Sequence, residues 1–198
     1  VLGMFAVVFL TSGGRVATDL VETIAGRVYA SPNGVSVLWE QGDDTDGLTI
    51  YALASHSESP NVYAGVWGEG VYRAASGENS WWQTPLGFLM EVSSLAIDPA
   101  SPNTVYAGIN GNGVRRSVNG GDSWGPTTGL EGKNVWSLAI TSTVASIHAY
   151  ADAEGEIYTS TNGIDWHFAG GTEIGTEKLY ALAIDPEDSR TAYVGTKG

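Results

Sequence analysis

Four copies of one short apolar phrase recur along the chain at nearly constant spacing. The central residue of each phrase is Leu53, Leu95, Leu138 or Leu182, which follows Ser or Ala and precedes Ala. The copies are 42, 43 and 44 residues apart. Self-similarity at a fixed period of this length is typical of repeat architectures, in which each repeat forms one supersecondary unit. The spacing therefore predicts a chain built from stacked structural repeats.

The third repeat is the clearest copy and contains four short apolar runs separated by turns. Its predicted strands are Val92–Ile97, Thr104–Ile109, Gly113–Ser117 and Ser123–Thr127. Runs rich in β-branched and aromatic residues, bounded by Gly, Pro, Asn and Asp, are typical of strands. Four short strands in each repeat are typical of a β-propeller blade. We expect an all-β propeller of four-stranded antiparallel blades with little helix, because no segment has a sustained helical period.

The same pattern divides the chain, taken as a single propeller domain, into about 4.5 blades. The repeats are 1–47, 48–91, 92–134, 135–178 and the incomplete 179–198. The strands expected in the other repeats are Met4–Leu10, Val16–Val21, Gly26–Ala30, Val37–Glu40, Thr49–Ala54, Asn61–Val66, Gly70–Ala74, Ser80–Thr84, Val135–Ile140, Ser146–Tyr150, Glu156–Ser160, Asp165–Ala169, Leu179–Ile184 and Thr191–Gly195. Propellers join their first and last blades and so remove open sheet edges. We expect the missing strands to come from a longer protein, a partner chain or an oligomer.

Residues 1–10, VLGMFAVVFL, fit either a buried strand or the tail of a secretory signal. No basic segment precedes them, no clear small-residue cleavage site follows, and ten residues are too few to span a bilayer. Leu10 lies 43 residues before Leu53, in register with the repeat. We therefore favour a strand and expect no membrane span.

Composition narrows the classes of partner and cofactor. The 22 acidic and 9 basic residues give a net charge of −13, which repels nucleic acid. The absence of Cys excludes disulfides, thiol catalysis and Cys-ligated zinc. His56, His148 and His167 lie in different repeats without metal-ligand spacing. The acidic segment Gln41–Gly47 is better explained as a solvated turn than as a calcium loop, so no metal or cofactor is expected.

A Gly-rich turn motif recurs before the last strand of each repeat. It reads SVNGGDSW at 117–124, STNGIDW at 160–166, SPNG at 31–34 and, in altered form, AASGENSW at 74–81. The Asn side chain is expected to bond nearby amides, the Gly to adopt positive φ, and the Trp to bury its ring under the turn. The residues assigned to this structural turn are Ser117, Asn119, Gly120, Asp122, Trp124, Ser160, Asn162, Gly163, Trp166, Ser31, Asn33 and Gly34.

These motifs resemble the Asp-box, or BNR repeat, of sialidase-like propellers. The flanking phrases SLAIDP, TVYAG and GVRRS look most like a bacterial branch that includes xyloglucanase-type glycoside hydrolases and photosystem II stability factors. The resemblance covers essentially the whole chain. It implies a fold rather than a function, because Asp-boxes lie on the outer edge of the blades and serve as structural turns.

The sequence contains little evidence for a catalytic site. The arginine trio and Arg-Ile-Pro motif that a sialidase-like enzyme would need are missing. A glycoside hydrolase needs two carboxylates across a cleft. Asp98 and Asp185 are carboxylates in Ile-Asp-Pro phrases, where capping of a turn explains them better. No catalytic residue is assigned.

Aromatic residues outside the turn motif suggest a binding surface. The repeat register predicts that Trp81 is the buried motif residue and that Trp82 points the other way. Trp67 and Trp82 are therefore the candidate contacts for a glycan or protein ligand. We expect a non-catalytic, extracellular or cell-envelope binding module. The alternatives are a carbohydrate-active propeller, as a glycoside hydrolase or glycan-binding fragment, and an assembly subunit joined through blade edges.

Overall fold

The structure is a computed structural model of the 198-residue chain. It describes residues 11–12, 15–16, 20–24, 27–31, 40–41, 48–76, 78, 80–86, 89–143, 146–153, 155–170, 179–185 and 188–196. Side chains are described for 48–76, 78, 80–86, 89–142, 155–170, 181–185 and 188–195. The predicted strand at 4–10 and the turn residues Asn33 and Gly34 lie outside the described residues, and the side chains of Ser31 and His148 are not described.

The described chain is all-β, with strands that pair with their sequence neighbours in antiparallel sheets. The first repeat contributes β1 (Thr11–Ser12), β2 (Arg15–Val16), β3 (Leu20–Ile24), β4 (Arg27–Ser31) and β5 (Glu40–Gln41). The order β3-β4-β5 forms one sheet and β1 pairs with β2. The strand predicted at Val16–Val21 is wrong in its bounds, because residues from Leu20 to Ile24 pair with β4 instead.

Three four-stranded sheets follow, and we call them blades 2, 3 and 4. Blade 2 contains β6 (Ile50–Ala54), β7 (Asn61–Val66), β8 (Gly70–Ala75) and β9 (Trp82–Gln83). Blade 3 contains β10 (Val92–Ile97), β11 (Val105–Ile109), β12 (Gly113–Ser117) and β13 (Gly125–Pro126). Blade 4 contains β14 (Val135–Thr143), β15 (Ser146–Ala153), β16 (Glu156–Ser160) and β17 (His167–Gly170). The hairpin of β18 (Leu179–Ile184) and β19 (Ala192–Thr196) begins blade 5.

The first strands of successive blades lie side by side. Strand β10 lies against both β6 and β14, and β14 also lies against β18. Each sheet extends outward from this inner strand in sequence order. Strands that converge at one side while their sheets fan outward have the arrangement of blades around a propeller axis.

Two of the three hydrophobic clusters among the described residues lie between blades, and the third belongs to blade 2 alone, with the buried members Leu53, Val62, Ala64, Ala74 and Trp81. Tyr63 and Val71 of blade 2 form one buried cluster with Val92, Val105 and Ile109 of blade 3. An equivalent cluster joins blades 3 and 4, and its buried members are Tyr106, Val114, Leu130, Val135, Leu138, Tyr158 and Trp166. Stacked sheets bury both faces of their middle strands in this way, which explains why β11 is buried along its whole length.

Gly108 shows how closely the blades approach. A Cβ atom at this position would lie 2.9 Å from Val135 Cγ1 of the next blade and would also overlap Ser94 Oγ. Any larger residue would therefore push apart two inner strands. Gly65 and Gly195 pair with the inner strand at the same position in blades 2 and 5, whereas Asp152 occupies it in blade 4.

The outer strands are shorter than the sequence predicts. Ser123–Thr127 was expected as a strand, but β13 contains two residues and begins after Trp124. In the same way β9 begins after Trp81, and β17 begins after Trp166. Side-chain hydrogen bonds hold the residues before Trp124 and Trp166 in turns, so these residues do not join the β-ladder. In contrast, β14 and β15 extend beyond the predicted bounds.

A β-bulge recurs at the second residue of every inner strand with described pairing in blades 2 to 5. The paired register skips Tyr51 in β6, Ser93 in β10, Trp136 in β14 and Tyr180 in β18. We call these four the bulge residues. The end of the blades where the inner strands begin is called the bulge end, and the opposite end, which carries the turns 117–124 and 160–166, is called the turn end. The described residues contain no helix that could cross a membrane.

Candidate functional site

Two aromatic rings meet at the bulge end of blade 2. The ring centroids of Tyr51 and Trp67 are 4.9 Å apart, and the planes are inclined by 41°. Tyr51 is 37% exposed, and Trp67 is partly exposed. The pair therefore presents aromatic surface to solvent next to the inner strand.

The local backbone explains how these rings come together. The bulge takes Tyr51 out of the regular in-and-out alternation of side chains along β6. The direction of its side chain therefore differs from that in a regular strand. Trp67 follows β7, and its N–H donates to Thr49 O at 2.9 Å. Gly68 then turns the chain with φ 78°, a conformation that Gly adopts without steric cost. Bulge and turn together fix the two rings on adjacent strands.

The equivalent position in blade 3 is polar. Asn110 N–H donates to Glu91 O at 3.0 Å, in the manner of Trp67 and Thr49, and its Nδ2 donates to Glu91 Oε2 at 2.6 Å. The bulge residue Ser93 donates its hydroxyl to Gly108 O at 3.1 Å and to Val135 O. A carboxylate and an amide thus lie one blade away from the aromatic pair and supply hydrogen-bonding groups.

Leu89 extends the apolar surface of blade 2. Its side chain is 86% exposed, and its backbone has φ 67°. Its N–H donates at 3.1 Å to the carbonyl of Gly68, the residue after Trp67. Leu89 therefore belongs to the same end of the blade as the aromatic pair.

Blade 4 carries an ion pair at the bulge end. Lys133 Nζ lies 3.0 Å from Glu156 Oε2, and Tyr158 donates its hydroxyl to the same oxygen at 2.9 Å. The hydrogen bond from Lys133 lowers the pKa of Glu156 and raises that of Lys133. Burial raises the pKa of Tyr158. All three groups keep their usual charge at neutral pH, which suits a structural contact better than acid–base chemistry.

The two tryptophans chosen from the sequence are not brought together. Trp67 contacts Tyr51 at the bulge end, whereas Trp82 lies on the outermost strand of blade 2. Trp82 is 41% exposed while Trp81 is buried, which is the arrangement that the repeat register predicts. The guanidinium carbon of Arg73 lies 5.7 Å from the centroid of the Trp82 ring. Trp82 is therefore a residue of the blade edge.

The turn at 117–124 is closed by its own side chains. Ser117 Oγ accepts a hydrogen bond from Gly121 N at 2.8 Å. Asn119 Oδ1 accepts from Ser117 Oγ at 2.9 Å and from Ser123 N at 3.0 Å. The turn at 160–166 repeats this network: Asn162 Oδ1 accepts from Asp165 N, and Ser160 Oγ accepts from Gly163 N, both at 2.9 Å.

Each of these turns also rests on the preceding blade. Trp124 Nε1 donates to Thr84 Oγ1 at 3.2 Å, and Arg73 donates to Gly120 O. Asp122 Oδ1 lies 2.5 Å from Arg73 Nη2. In blade 4, Gly163 lies so close to Tyr106 that a Cβ atom would be 2.0 Å from its hydroxyl. These residues therefore join blades and lie at the turn end, opposite the aromatic pair.

Other residues considered for chemistry are also structural in their contacts. Asp98 is buried at the turn end, where its Oδ1 accepts from Ala100 N at 2.9 Å and from Ser142 of the next blade. Tyr193 donates to Asp185 Oδ2 at 3.2 Å. Nδ1 of His56 accepts from Glu58 N at 3.2 Å, and His167 is exposed on β17. Within the part of the chain that is described, no three His, Asp or Glu side chains form a group that could hold a metal.

Comparison with known proteins identifies the fold. No protein-family model matches the sequence, and no curated protein matches it. An ancestral GH74 enzyme is similar over 93% of this chain and 28% of its own, with TM-score 0.67 and 19% identity. The GH74 xyloglucanase from Xanthomonas campestris is similar over 91% and 33%, with TM-score 0.63 and 15% identity. YCF48 from Cyanidioschyzon merolae is similar over 90% and 63%, with TM-score 0.63 and 14% identity.

The fold is a β-propeller. The similar structures are propellers, and the described sheets are four-stranded and antiparallel as the sequence predicts. The chain spans about a third or less of the GH74 enzymes and 63% of YCF48, which is consistent with a partial propeller. At these identities the likeness extends to the fold alone.

Sequence reasoning missed Tyr51, Leu89 and the Glu91–Asn110 pair. A signal for Tyr51 was present, because Tyr51, Trp136 and Tyr180 occupy one position of the repeat and Ser93 is the exception. When each strand is considered alone, these three aromatic residues look like ordinary apolar residues of a buried strand. Their common role becomes visible only when the pairing register shows that the ladder skips them.

Proposed function

We propose that this chain forms one propeller domain, or part of one, whose bulge end binds a glycan without cleaving it. The observation that carries the proposal is the partly exposed pair of Tyr51 and Trp67. The C–H-rich face of a sugar ring is apolar and packs well on aromatic rings, which bury large apolar areas with little loss of entropy. A rigid aromatic pair beside an inner strand is therefore suited to stacking with sugars.

The neighbouring blade supplies the polar part of the proposed site. Binding sites combine apolar surface with a few convergent polar groups that fix the orientation of the ligand. Glu91 carries a carboxylate that accepts hydrogen bonds from hydroxyl groups, and the Asn110 amide, which donates to Glu91 Oε2 at 2.6 Å, holds this carboxylate in place. We expect a bound glycan to extend from the aromatic pair of blade 2 toward this polar pair.

The net charge and the proposed ligand suit a location outside the cell. A charge of −13 favours neutral or cationic partners over nucleic acid. Glycan ligands are present at the cell surface, so we place the protein in the extracellular space or the cell envelope. Fractionation of the source cells, with detection of the protein in each fraction, tests this location.

Titration of the full chain with soluble oligosaccharides tests glycan binding. Isothermal titration with xyloglucan oligosaccharides, cellohexaose and chitohexaose should give saturable binding to at least one of them. Trp67→Ala should weaken that binding about tenfold, which corresponds to a loss of about 1.4 kcal/mol. Trp82→Ala is the matched control because it removes the same side chain from the outer strand, and it should leave the affinity unchanged.

Two results would contradict glycan binding at this site. If none of the oligosaccharides binds, glycan binding by the bulge end is wrong, and a protein ligand or an assembly role becomes the better explanation. If Trp82→Ala weakens binding and Trp67→Ala does not, the contact lies on the blade edge.

Glycoside hydrolysis is the second candidate, and the similarity to GH74 enzymes favours it. Such an enzyme needs two carboxylates on opposite sides of the scissile bond. At the described bulge end, Glu91 accepts a hydrogen bond from Asn110, and Glu156 forms a salt bridge with Lys133. Release of reducing ends from xyloglucan by the full chain would support hydrolysis. Intact polysaccharide under conditions where the oligosaccharide binds would support binding alone.

A further inference from the structure

Leu89 combines two unfavourable features at the bulge end of blade 2. Its side chain is 86% exposed, so a large aliphatic group lies in water. Its φ of 67° lies in the left-handed region, where a Cβ atom crowds the following carbonyl. Gly132, which lies 43 residues further along in the repeat, adopts φ 73°. Blade 3 thus uses the residue that suits this conformation, and blade 2 has a leucine in its place.

The position of Leu89 is fixed by hydrogen bonds to the loop that follows Trp67. Leu89 N–H donates to Gly68 O, and Gly70 N–H donates to Met90 O, both at 3.1 Å. These two bonds hold residues 89–90 beside residues 68–70. The exposed leucine is therefore attached to the loop that carries one of the two stacking rings.

We infer that Leu89 contacts a methyl-bearing substituent of the glycan, such as an acetamido group, and so selects the sugar. This inference rests on the proposed glycan binding. Strained residues persist where the surrounding structure holds them for a function. An aliphatic side chain offers no hydrogen bond, so it discriminates between ligands by apolar contact alone. Burial of one methyl group corresponds to about a fourfold gain in affinity.

Two oligosaccharides with the same backbone provide the test. Chitohexaose and cellohexaose are both β-1,4-linked, and they differ by the acetamido group at C2 of each sugar. The full chain should bind chitohexaose about fourfold or more tighter than cellohexaose. Leu89→Asn should abolish this preference, because it should weaken the binding of chitohexaose about fourfold more than the binding of cellohexaose. Asn tolerates the left-handed conformation, so the loop should keep its shape.

The outcomes separate this inference from the proposed function. Equal affinities in the natural protein, or a preference that survives in Leu89→Asn, would overturn the role of Leu89 while glycan binding stands. Failure of both oligosaccharides to bind would overturn both. Leu89→Gly should also lose the preference, and its melting temperature should not fall, because the relieved strain offsets the greater freedom that Gly gives the unfolded chain. A lower melting temperature in Leu89→Gly would contradict the argument from strain.

Discussion

Two glycines, Gly163 at the turn end and Gly132 at the bulge end, show what the contact between blades requires. Gly163 has φ 68°, and a Cβ atom there would lie 2.0 Å from the hydroxyl and 2.8 Å from Cζ of Tyr106. Gly132 has nearly the same φ, but its Cβ position has nothing within 4 Å. The two positions share a backbone conformation and differ in their surroundings. Substitution at Gly132 therefore measures the cost of backbone strain alone, and substitution at Gly163 adds the cost of the clash with Tyr106.

Replacement of these two glycines by alanine should therefore have different costs. Gly132→Ala should lower the free energy of unfolding by about 1–2 kcal/mol through strain alone. Gly163→Ala should lose about 1–3 kcal/mol more, because Tyr106 is buried and has to move. Urea denaturation of both variants measures the difference. Equal costs would show that blade 4 does not rest on Tyr106 as described.

The side chain of Asp165 links the stability of the fold to pH. Asp165 Oδ2 accepts from Asn162 Nδ2, and its Oδ1 accepts from Thr128 Oγ1, both at 2.7 Å. These bonds, with Asn162 as the larger contribution, lower the pKa of Asp165 below its ordinary value of 3.8. A carboxyl group with a depressed pKa stabilises the fold fully above its unfolded value and loses that contribution as pH falls through its folded value.

Comparison with Asp165→Asn tests this linkage. The natural protein should be the more stable of the two near pH 7, and the difference should stay constant down to about pH 5. Below pH 3.8 the difference should shrink, because the natural carboxylate becomes protonated. Denaturation midpoints at a series of pH values measure it. A difference that is unchanged at pH 3 would mean that Asp165 makes no stabilising contact through its charge.

Among the contacts between strands and turns, Arg73 on β8 binds the turn at 117–124 of the next blade. Arg73 donates to Gly120 O, and its guanidinium lies 2.5 Å from Asp122 Oδ1. The Asp122 side chain is 61% exposed, whereas that of Arg73 is mostly buried. An exposed ion pair contributes little in water, whereas a hydrogen bond from a charged donor to a carbonyl contributes about 1.5–3 kcal/mol. The carbonyl contact should therefore dominate.

Two substitutions distinguish these contacts. Arg73→Met keeps the aliphatic part of the side chain and should cost about 1.5–3 kcal/mol of stability. Asp122→Asn should cost less than about 1 kcal/mol. Urea denaturation of each variant in low and high salt provides the measurement. A cost for Asp122→Asn as large as that for Arg73→Met would show that the ion pair is the main link.

The sequence predicts the elements well where spacing alone decides them. The apolar phrases around Leu53, Leu95, Leu138 and Leu182 correspond to β6, β10, β14 and β18. The outer strands are less predictable, because propensity does not show where the side-chain bonds of a turn end and the ladder begins. The first repeat is the least predictable, since its pattern is the most altered.

The candidate site could be predicted only in part for a physical reason. Trp67 is identified by its type and its place outside the turn motif. The partner ring Tyr51 depends on a one-residue shift in pairing, and such a shift is decided by contacts between strands. Leu89 depends on a backbone angle that a sequence pattern does not contain. Alignment of the repeats against each other would have revealed Leu89 opposite Gly132.

One tyrosine distinguishes the described part of blade 5 from blades 2 and 3. Tyr63, Tyr106 and Tyr193 occupy one position of the second strand, and each pairs with an Ala of the inner strand. Tyr63 and Tyr106 are completely buried next to Gly121 and Gly163 of the following blades. Tyr193 is 60% exposed. The described face of blade 5 therefore exposes an aromatic residue whose counterparts in blades 2 and 3 are buried.

We expect this face to promote association of the chain. Light scattering should give a mass above 20.7 kDa that rises with protein concentration. Tyr193→Lys should return the mass to 20.7 kDa, because it places a charge on the face. His167→Lys is the control, since it changes an exposed residue of an outer strand. A mass of 20.7 kDa at every concentration would contradict an assembly through this face.

The repeated bulge has a consequence for how such a protein diverges over time. Most of the described contacts that hold the blades together lie in the interblade clusters and at the turn end, although the bulge residue Ser93 also bonds to Val135 O of the next blade. Where the bulge residue is a partly exposed aromatic, as at Tyr51, a substitution should alter the proposed recognition with little penalty in stability. Duplicated copies of the gene would be free to acquire new ligands one blade at a time. Selection on the fold and selection on the proposed ligand would then act largely on separate residues, with Ser93 as an exception.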